Sequence, residues 1–166
     1  MFEVAEAYER QRGRSSKLLA PLFLDFVGVG VRGEVGVVGC GTGALTFAIA
    51  KNKAVSKIVA IDLSETFLVY ARSKTDDPRI SFVLVMRFIP DAPKAAREMR
   101  RVTRPGGVVA TAMWDNTGGN ELNDSLSDAA RSLDSNAPQD KDPGSYGTAE
   151  ALTSLWAAAG LRNIEV

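Results

Sequence analysis

The feature that most constrains this chain is a strand-like apolar run that ends in three closely spaced glycines, at positions 39, 41 and 43. Val35, Val37 and Val38 precede the turn, and a helical pattern of apolar residues covers positions 44–49. A β-branched run followed at once by a 3.6-residue period predicts a buried strand, a tight turn and a helix. Glycines let the backbone approach a ligand, and the helix amides point towards it. We therefore predict a nucleotide-type binding turn.

A carboxylate stands at the distance from this turn that such a site needs. Asp62 follows Gly43 by nineteen residues and ends a second apolar run, 57–61. A carboxylate about twenty residues past a glycine loop, at the end of the next strand, accepts hydrogen bonds from ribose hydroxyls. A plain βαβ turn with a helix-capping aspartate is the alternative, but the spacing and both strand contexts favour a ribose contact.

Three segments together resemble a known family. They are V-V-G-C-G-T-G at 37–43, A-I-D-L-S at 60–64, and the stretch from F-I-P-D-A-P to R-P-G-G-V-V-A at 88–110. This pattern resembles the class I S-adenosylmethionine-dependent methyltransferases, near the UbiE-like, type 11 group. The resemblance implies an α/β fold with a doubly wound, mostly parallel Rossmann-like sheet and helices on both faces. It also implies methyl transfer from S-adenosylmethionine to a small-molecule acceptor.

The resemblance also implies which residues contact the cofactor and the acceptor. The loop would follow the methionine portion, Asp62 would bind the ribose and Leu63 would pack on the adenine. Helices ahead of the first strand commonly cover this pocket in the family, and Trp114 closes a predicted strand at the same rim. The cofactor-binding residues are thus Gly39, Cys40, Gly41, Thr42, Gly43, Asp62 and Leu63, and the substrate or lid candidates are Tyr8, Arg14 and Trp114. Simple covering or core roles remain alternatives for the last three. No catalytic residue is assigned, because the protein mainly has to hold a nucleophile in line with the activated methyl group.

One position departs from the family pattern. Relatives usually carry an acidic residue two positions before the first glycine, where this chain has Val37. That carboxylate helps to orient the loop and the amino end of the cofactor. If position 37 opens on the pocket, Val37→Asp should tighten cofactor binding; if Val37 packs in the core, the substitution should unfold the protein.

Composition limits the classes of partner and chemistry. The 166 residues fit one domain, 1–166, in which 1–30 form a helical cover. Twenty basic and twenty acidic residues cancel, so neither nucleic acid nor an anionic membrane is an expected partner. No apolar run is long enough to span a bilayer, and we expect a cytoplasmic protein. The chain has no histidine and one cysteine, which excludes Ser-His-Asp catalysis, an internal disulfide and a typical zinc site.

The remaining pattern predicts further helices and strands. Helices are expected over 2–12 and from Ser15 or Ser16, and three more are expected behind the caps Ser64, Asp91 and Thr148. Strands are expected at 79–83, 108–114 and from 162 onwards. The fused apolar run 80–89 has no crossover, although parallel neighbours need one. We therefore expect a missing segment near 83/84, possibly another near 135–147, and an absent C-terminal strand.

Two other functions remain open. Gly39, Gly41 and Ala44 also satisfy the looser dinucleotide fingerprint, which allows an NAD(P)-dependent oxidoreductase. The third close glycine and the R-P-G-G segment argue against it. The second alternative is a non-catalytic, cofactor-binding protein that retains the methyltransferase fold. The acceptor, the atom methylated and the oligomeric state are not predicted.

Overall fold

The computed structural model describes residues 2–28, 31–84, 91–113, 121–134, 146 and 148–166. The chain divides into two compact units, Met1–Phe88 and Ile89–Val166. The single domain 1–166, its N-terminal cover and its missing segments stay predictions. No described helix is long and apolar enough to cross a membrane.

A three-stranded parallel sheet forms the centre of the first unit. Its strands are β1 (Gly33–Val38), β2 (Val55–Asp62) and β3 (Ile80–Leu84), in the order β1-β2-β3. Val38 pairs with Ile61, and Asp62 pairs with Leu84. Since the strands are parallel, the turn after β1 and the aspartate that ends β2 reach the same edge of the sheet. The predicted strands in these three regions are confirmed.

Helices connect and cover these strands. The unit begins with α1 (Phe2–Tyr8), a π-helical segment (Glu9–Gly13) and α2 (Arg14–Val27). Between the strands lie α3 (Ala44–Ala50) and α4 (Glu65–Arg72). The predicted cap on α4 is confirmed, because the Ser64 hydroxyl accepts a hydrogen bond from the Phe67 amide at 3.3 Å.

The predicted break between the first two helices is wrong. The backbone stays helical through Gly13, and neither serine caps α2. The Ser16 hydroxyl instead donates to the Arg12 carbonyl at 3.1 Å, from inside the helix. Serine satisfies its hydroxyl in either way, so its presence alone does not mark a helix start. The segment Glu9–Gly13 continues the helix as a π-helical turn.

One face of the sheet forms the core of the first unit. Val37, Ile58 and Ala60 are almost fully buried there, together with Leu68 of α4. Along β1 the buried and exposed positions alternate, as expected of a strand with one packed face. The core is therefore built from the apolar runs that flank the glycine turn and from the helices that join them.

The second unit contains three described helices, α5 (Ala92–Val102), α6 (Glu121–Leu133) and α7 (Ala149–Ala158). The predicted caps are confirmed: Asp91 accepts from the Lys94 amide at 2.8 Å, and Thr148 accepts from the Ala151 amide at 3.2 Å. Helices α5 and α7 pack together, and the Arg100 side chain donates to the Gly160 carbonyl at 3.1 Å.

Two predicted strands do not form among the described residues. The stretches 107–113 and 164–166 lack strand structure, and Asn163 adopts a positive φ of 55°. A strand needs a neighbour that accepts its ladder hydrogen bonds, and neither stretch has one in the described part of the second unit. Residue 114, the fused run beyond Leu84 and the polar loop 135–145 lie outside the described residues.

Candidate cofactor-binding site

Every second residue of the glycine turn lies in the left-handed region of backbone conformation. Gly39, Gly41 and Gly43 have φ angles of 74°, 54° and 100°. Residues with a Cβ rarely adopt this region, so the turn requires glycine at all three positions. The loop reverses the chain between β1 and α3, and the Gly43 amide donates to the Cys40 carbonyl at 3.0 Å.

The three glycines have different surroundings. A Cβ added at Gly39 would meet nothing within 4 Å, and one at Gly41 would meet only the Tyr8 hydroxyl oxygen, at 4.0 Å. A Cβ at Gly43 would lie 2.6 Å from the Phe47 ring. Gly43 therefore leaves room for the Phe47 ring of α3, whereas Gly39 and Gly41 leave open space beside bare backbone. That open space is where a ligand can approach the loop.

Asp62 fastens the same loop from the neighbouring strand. Its Oδ2 accepts from the Gly41 amide at 2.7 Å, and its Oδ1 accepts from the Ser64 amide at 2.8 Å. The Ile61 carbonyl accepts from the amides of Gly39 and Cys40, at 2.8 and 2.9 Å. Each carboxylate oxygen has a second lone pair, so Asp62 retains acceptor capacity for a ribose hydroxyl. Sequence reasoning placed Asp62 at the site but missed its role in holding the loop.

The side chains of Cys40 and Thr42 turn into the protein. They are 6% and 5% exposed, so at these two positions mainly the backbone faces a ligand. Burial, together with the charge of Asp62, raises the pKa of the Cys40 thiol to about 12. The thiol is protonated at neutral pH and is no nucleophile. Leu63, the residue after β2, is 44% exposed, which leaves its side chain available for an apolar contact.

Val37 packs in the core of the first unit and is 5% exposed. Its side chain therefore does not open on the space beside Gly39 and Gly41. The buried position of Val37 therefore does not support the prediction that Val37→Asp tightens cofactor binding. It favours the other outcome, in which the substitution unfolds the protein. The reason is that β1 alternates, so residue 37 faces the helices while its neighbour Val38 is exposed.

The N-terminal helical segment contacts the loop through a residue that sequence reasoning missed. Glu9 accepts a hydrogen bond from the Thr42 hydroxyl and forms an ion pair with Lys17. The Tyr8 ring packs against the Phe67 ring, with the ring centroids 4.7 Å apart and the planes tilted by 41°. Only the contact itself could have revealed Glu9, because the two partners are 33 residues apart in the sequence.

The other two lid candidates are not brought to the loop by any described contact. Arg14 is exposed at the start of α2, and Trp114 lies outside the described residues. The described residues contain no group of three carboxylate, thiol or imidazole side chains that would hold a metal ion.

The cofactor-binding role of the site residues stays a prediction, but the geometry fits it. Bare backbone at Gly39 and Gly41 faces open space, a carboxylate lies beside it, and an exposed apolar side chain follows. These are the three kinds of group that the amino-acid, ribose and adenine parts of S-adenosylmethionine need.

Comparison with known proteins gives a match to one family model over part of the chain. Residues 35–87 match the family model described as a methyltransferase domain. That segment contains the glycine turn, Asp62 and all of β2 and β3. None of the curated protein sequences matches the chain.

Two solved structures with TM-scores above 0.5 support the fold. A proposed S-adenosyl-L-methionine-dependent methyltransferase from Methanococcus maripaludis is 23% identical with a TM-score of 0.52, over 80% of this chain and 70% of that one. The YcgJ protein from Bacillus subtilis is 15% identical with a TM-score of 0.52, over 84% and 66% of the two chains. The S-adenosylmethionine-dependent methyltransferase from Mesorhizobium loti is 20% identical with a TM-score of 0.45, over 54% of this chain.

The fold is that of the class I S-adenosylmethionine-dependent methyltransferases, and residues 35–87 match the family model of a methyltransferase domain. The resemblance and the fold class predicted from the sequence are confirmed; the UbiE-like subgroup stays a prediction. The chain spans about half, 49%, of the Mesorhizobium loti protein.

Proposed function

We propose that this chain binds S-adenosylmethionine at the glycine loop and Asp62 and transfers its methyl group to a small-molecule acceptor. The observation that carries the proposal is the open, bare backbone at Gly39 and Gly41 beside a carboxylate that is fastened to the same loop. The methyltransferase match over residues 35–87 supports the same conclusion independently.

Each proposed contact uses a group that the structure leaves available. The backbone of 39–43 would follow the amino-acid end, since nothing lies within 4 Å of a Cβ built at Gly39. Asp62 would accept from the ribose with the lone pairs that Gly41 and Ser64 leave unused. Leu63, nearly half exposed, would pack on the adenine. Tyr8, Arg14 and Trp114 remain lid or acceptor candidates.

The cofactor, when bound, supplies a methyl group on a positively charged sulfur. The chain's own task is then to bind, orient and exclude water, and a site without a nucleophilic side chain suffices for it. The protonated Cys40 thiol agrees with such a site. We propose no residue as a catalytic acid or base. The small-molecule acceptor and the cytoplasmic location stay expectations from the sequence.

Separate titrations with S-adenosylhomocysteine and NAD test the binding step. We expect saturable binding of the first ligand and none of the second. Gly41→Ala fills the open space and strains a residue with φ of 54°, so it should weaken binding about tenfold or more. Gly36→Ala is the matched control, because Gly36 lies in β1, lacks a positive φ and has open space around its Cβ position.

Methyl transfer is tested with S-adenosylmethionine carrying a labelled methyl group and a fractionated pool of small molecules. Label in a small-molecule fraction, together with S-adenosylhomocysteine, is the expected result. Preferential binding of NAD, or equal binding by wild type and Gly41→Ala, would contradict the proposed site. Cofactor binding without transfer to any fraction would favour the non-catalytic alternative.

A further inference from the structure

We propose that Glu9 binds the ammonium group at the amino-acid end of the cofactor, and that Lys17 occupies this carboxylate until the cofactor arrives. This inference rests on the proposed function and adds to it a positioning residue outside the strand-turn-helix motif. It is drawn from the contacts of one carboxylate with the loop and with an internal ammonium group.

The Glu9 carboxylate lies directly against the glycine loop. Its Oε1 accepts from the hydroxyl of Thr42, which stands between Gly41 and Gly43 and is almost fully buried. The Glu9 side chain itself is only 11% exposed. The preceding residue, Tyr8, has its hydroxyl 4.0 Å from the position of a Cβ on Gly41. Tyr8 therefore lies beside the open space at Gly41, and Glu9 lies against the buried side chain of Thr42, the next residue of the loop.

An ammonium group already occupies the second oxygen of this carboxylate. Lys17 donates to Oε2, while Thr42 holds Oε1. The Lys17 side chain is 62% exposed, so its head group can return to water at little cost. A ligand ammonium that replaces it would leave the charge balance and the Thr42 hydrogen bond unchanged. Lys17 therefore marks Oε2 as an exchangeable ammonium-binding position.

Glu9 is charged in this setting. Partial burial alone would raise its pKa, but hydrogen bonds from Lys17 and Thr42 and the positive charges of Lys17 and Lys74 hold the pKa below its usual value. The other carboxylate at the loop, Asp62, already accepts from two backbone amides, and position 37 is apolar. Of the carboxylates with a described contact to this loop, Glu9 is the one paired with an ammonium group.

Gly13, at the end of the π-helical segment, makes room for this carboxylate. A Cβ added at the buried Gly13 would lie 2.6 Å from Cδ and Oε1 of Glu9. Gly13→Ala should therefore push the carboxylate away from the loop without changing its charge, because the end of a flexible side chain is what must move. This gives a second way to remove the contact, independent of substituting Glu9.

The test compares two ligands with the same adenosine. S-adenosylhomocysteine carries the amino-acid end and 5′-methylthioadenosine lacks it. We expect Glu9→Gln and Gly13→Ala each to weaken S-adenosylhomocysteine binding about tenfold or more, as expected for loss of a hydrogen bond to a charged group. Binding of 5′-methylthioadenosine should stay within about twofold of wild type. Glu6→Gln, an exposed glutamate on α1, is the matched control.

Lys17→Met should tighten S-adenosylhomocysteine binding about two- to fivefold, since it removes the competing ammonium group.

Equally weakened binding of both ligands by Glu9→Gln and Gly13→Ala would mean that Glu9 only holds the helix on the loop. This result would overturn the inference about Glu9 and leave the proposed function in place. Unchanged S-adenosylhomocysteine binding in both variants would do the same. Failure of the wild-type protein to bind either ligand would overturn the proposed function, and the inference with it. If Glu9→Gln does not fold, the decision rests on Gly13→Ala.

Discussion

Each end of the central sheet is held by one charged side chain. The two side chains differ in how much of their hydrogen-bonding capacity is used within the protein. At the amino end, the Arg79 guanidinium donates to the carbonyls of Ala50, Asn52 and Val55, at 2.6, 3.2 and 2.8 Å. Its remaining N–H groups donate to the Asp77 carboxylate. At the carboxyl end, Asp62 accepts from two amides and keeps lone pairs beside open space.

This difference separates a structural residue from a candidate ligand-binding one. All five donors of Arg79 are used within the protein, so nothing remains with which it could bind a ligand. It caps the carbonyls at the end of α3 and joins them to the starts of β2 and β3. Asp62 holds its loop with only part of its capacity. Residual hydrogen-bonding capacity next to unfilled space therefore distinguishes the end of the sheet that carries the candidate site.

Val37→Asp should have the largest effect, because it breaks the core between these two ends. The new carboxylate would be buried without a partner, which costs about 3 kcal/mol or more of unfolding free energy. Thermal and urea unfolding of the variant measure this loss. Val38→Asp, one position along on the exposed face, is the control and should be nearly neutral. A folded Val37→Asp protein with improved affinity for S-adenosylmethionine would show that residue 37 does open on the pocket.

Arg79→Met should follow, and it should lower stability without changing affinity per folded molecule. Methionine keeps much of the side-chain volume but leaves three backbone carbonyls without their donor. The thermal midpoint should fall clearly more than in Arg101→Met, because the Arg101 side chain is exposed and pairs with the exposed Glu98 on α5. Weaker S-adenosylhomocysteine binding by folded Arg79→Met would contradict the purely structural role of Arg79.

Asp62→Ala should mainly lower ligand affinity, whereas Arg79→Met should mainly lower stability. We expect S-adenosylhomocysteine affinity to fall by about 1.5–3 kcal/mol, the range for a hydrogen bond to a charged group. Some stability should also be lost, because the Gly41 amide loses its acceptor. Isothermal titration measures the affinity, and thermal unfolding the stability, of both this variant and Arg79→Met, so the two losses can be compared. Unaltered affinity in folded Asp62→Ala would remove Asp62 from the cofactor site.

Local signals made part of this structure predictable from the sequence. The glycine turn, the strands around it and the caps at Ser64, Asp91 and Thr148 depend on residues close in sequence, and all were confirmed. The strands expected at 108–114 and 162–166 depend on a partner that sequence pattern cannot guarantee. The same limit hid Glu9 and the loop-fastening role of Asp62, since both act through contacts that only the folded chain creates.

Acid should loosen the amino end of the sheet in a defined range. Hydrogen bonds from Arg79 lower the pKa of Asp77 from 3.8 to about 2. A carboxylate whose pKa is lower in the folded than in the unfolded state stabilises the fold at pH values above its unfolded-state pKa. This stabilisation is lost as the pH falls from about 4 to about 2. Asp77→Asn should therefore show a shallower loss of thermal midpoint over that range than wild type. Identical slopes would mean that the Asp77–Arg79 pair does not contribute.

Two buried threonines allow the smallest and most exact comparison. Thr46, in α3, is fully buried, and its hydroxyl has no hydrogen-bond partner among the described residues. Thr46→Val keeps the shape and the β-branched character while removing an unsatisfied polar group, so stability should rise by up to about 1 kcal/mol. Thr42→Val makes the same chemical change at a residue 5% exposed, but it removes the hydrogen bond to Glu9. It should be neutral or destabilising, and it should also weaken S-adenosylhomocysteine binding, because the Glu9 carboxylate loses the group that orients it. Equal stability changes in the two variants would show that the Thr42–Glu9 bond contributes nothing to the fold.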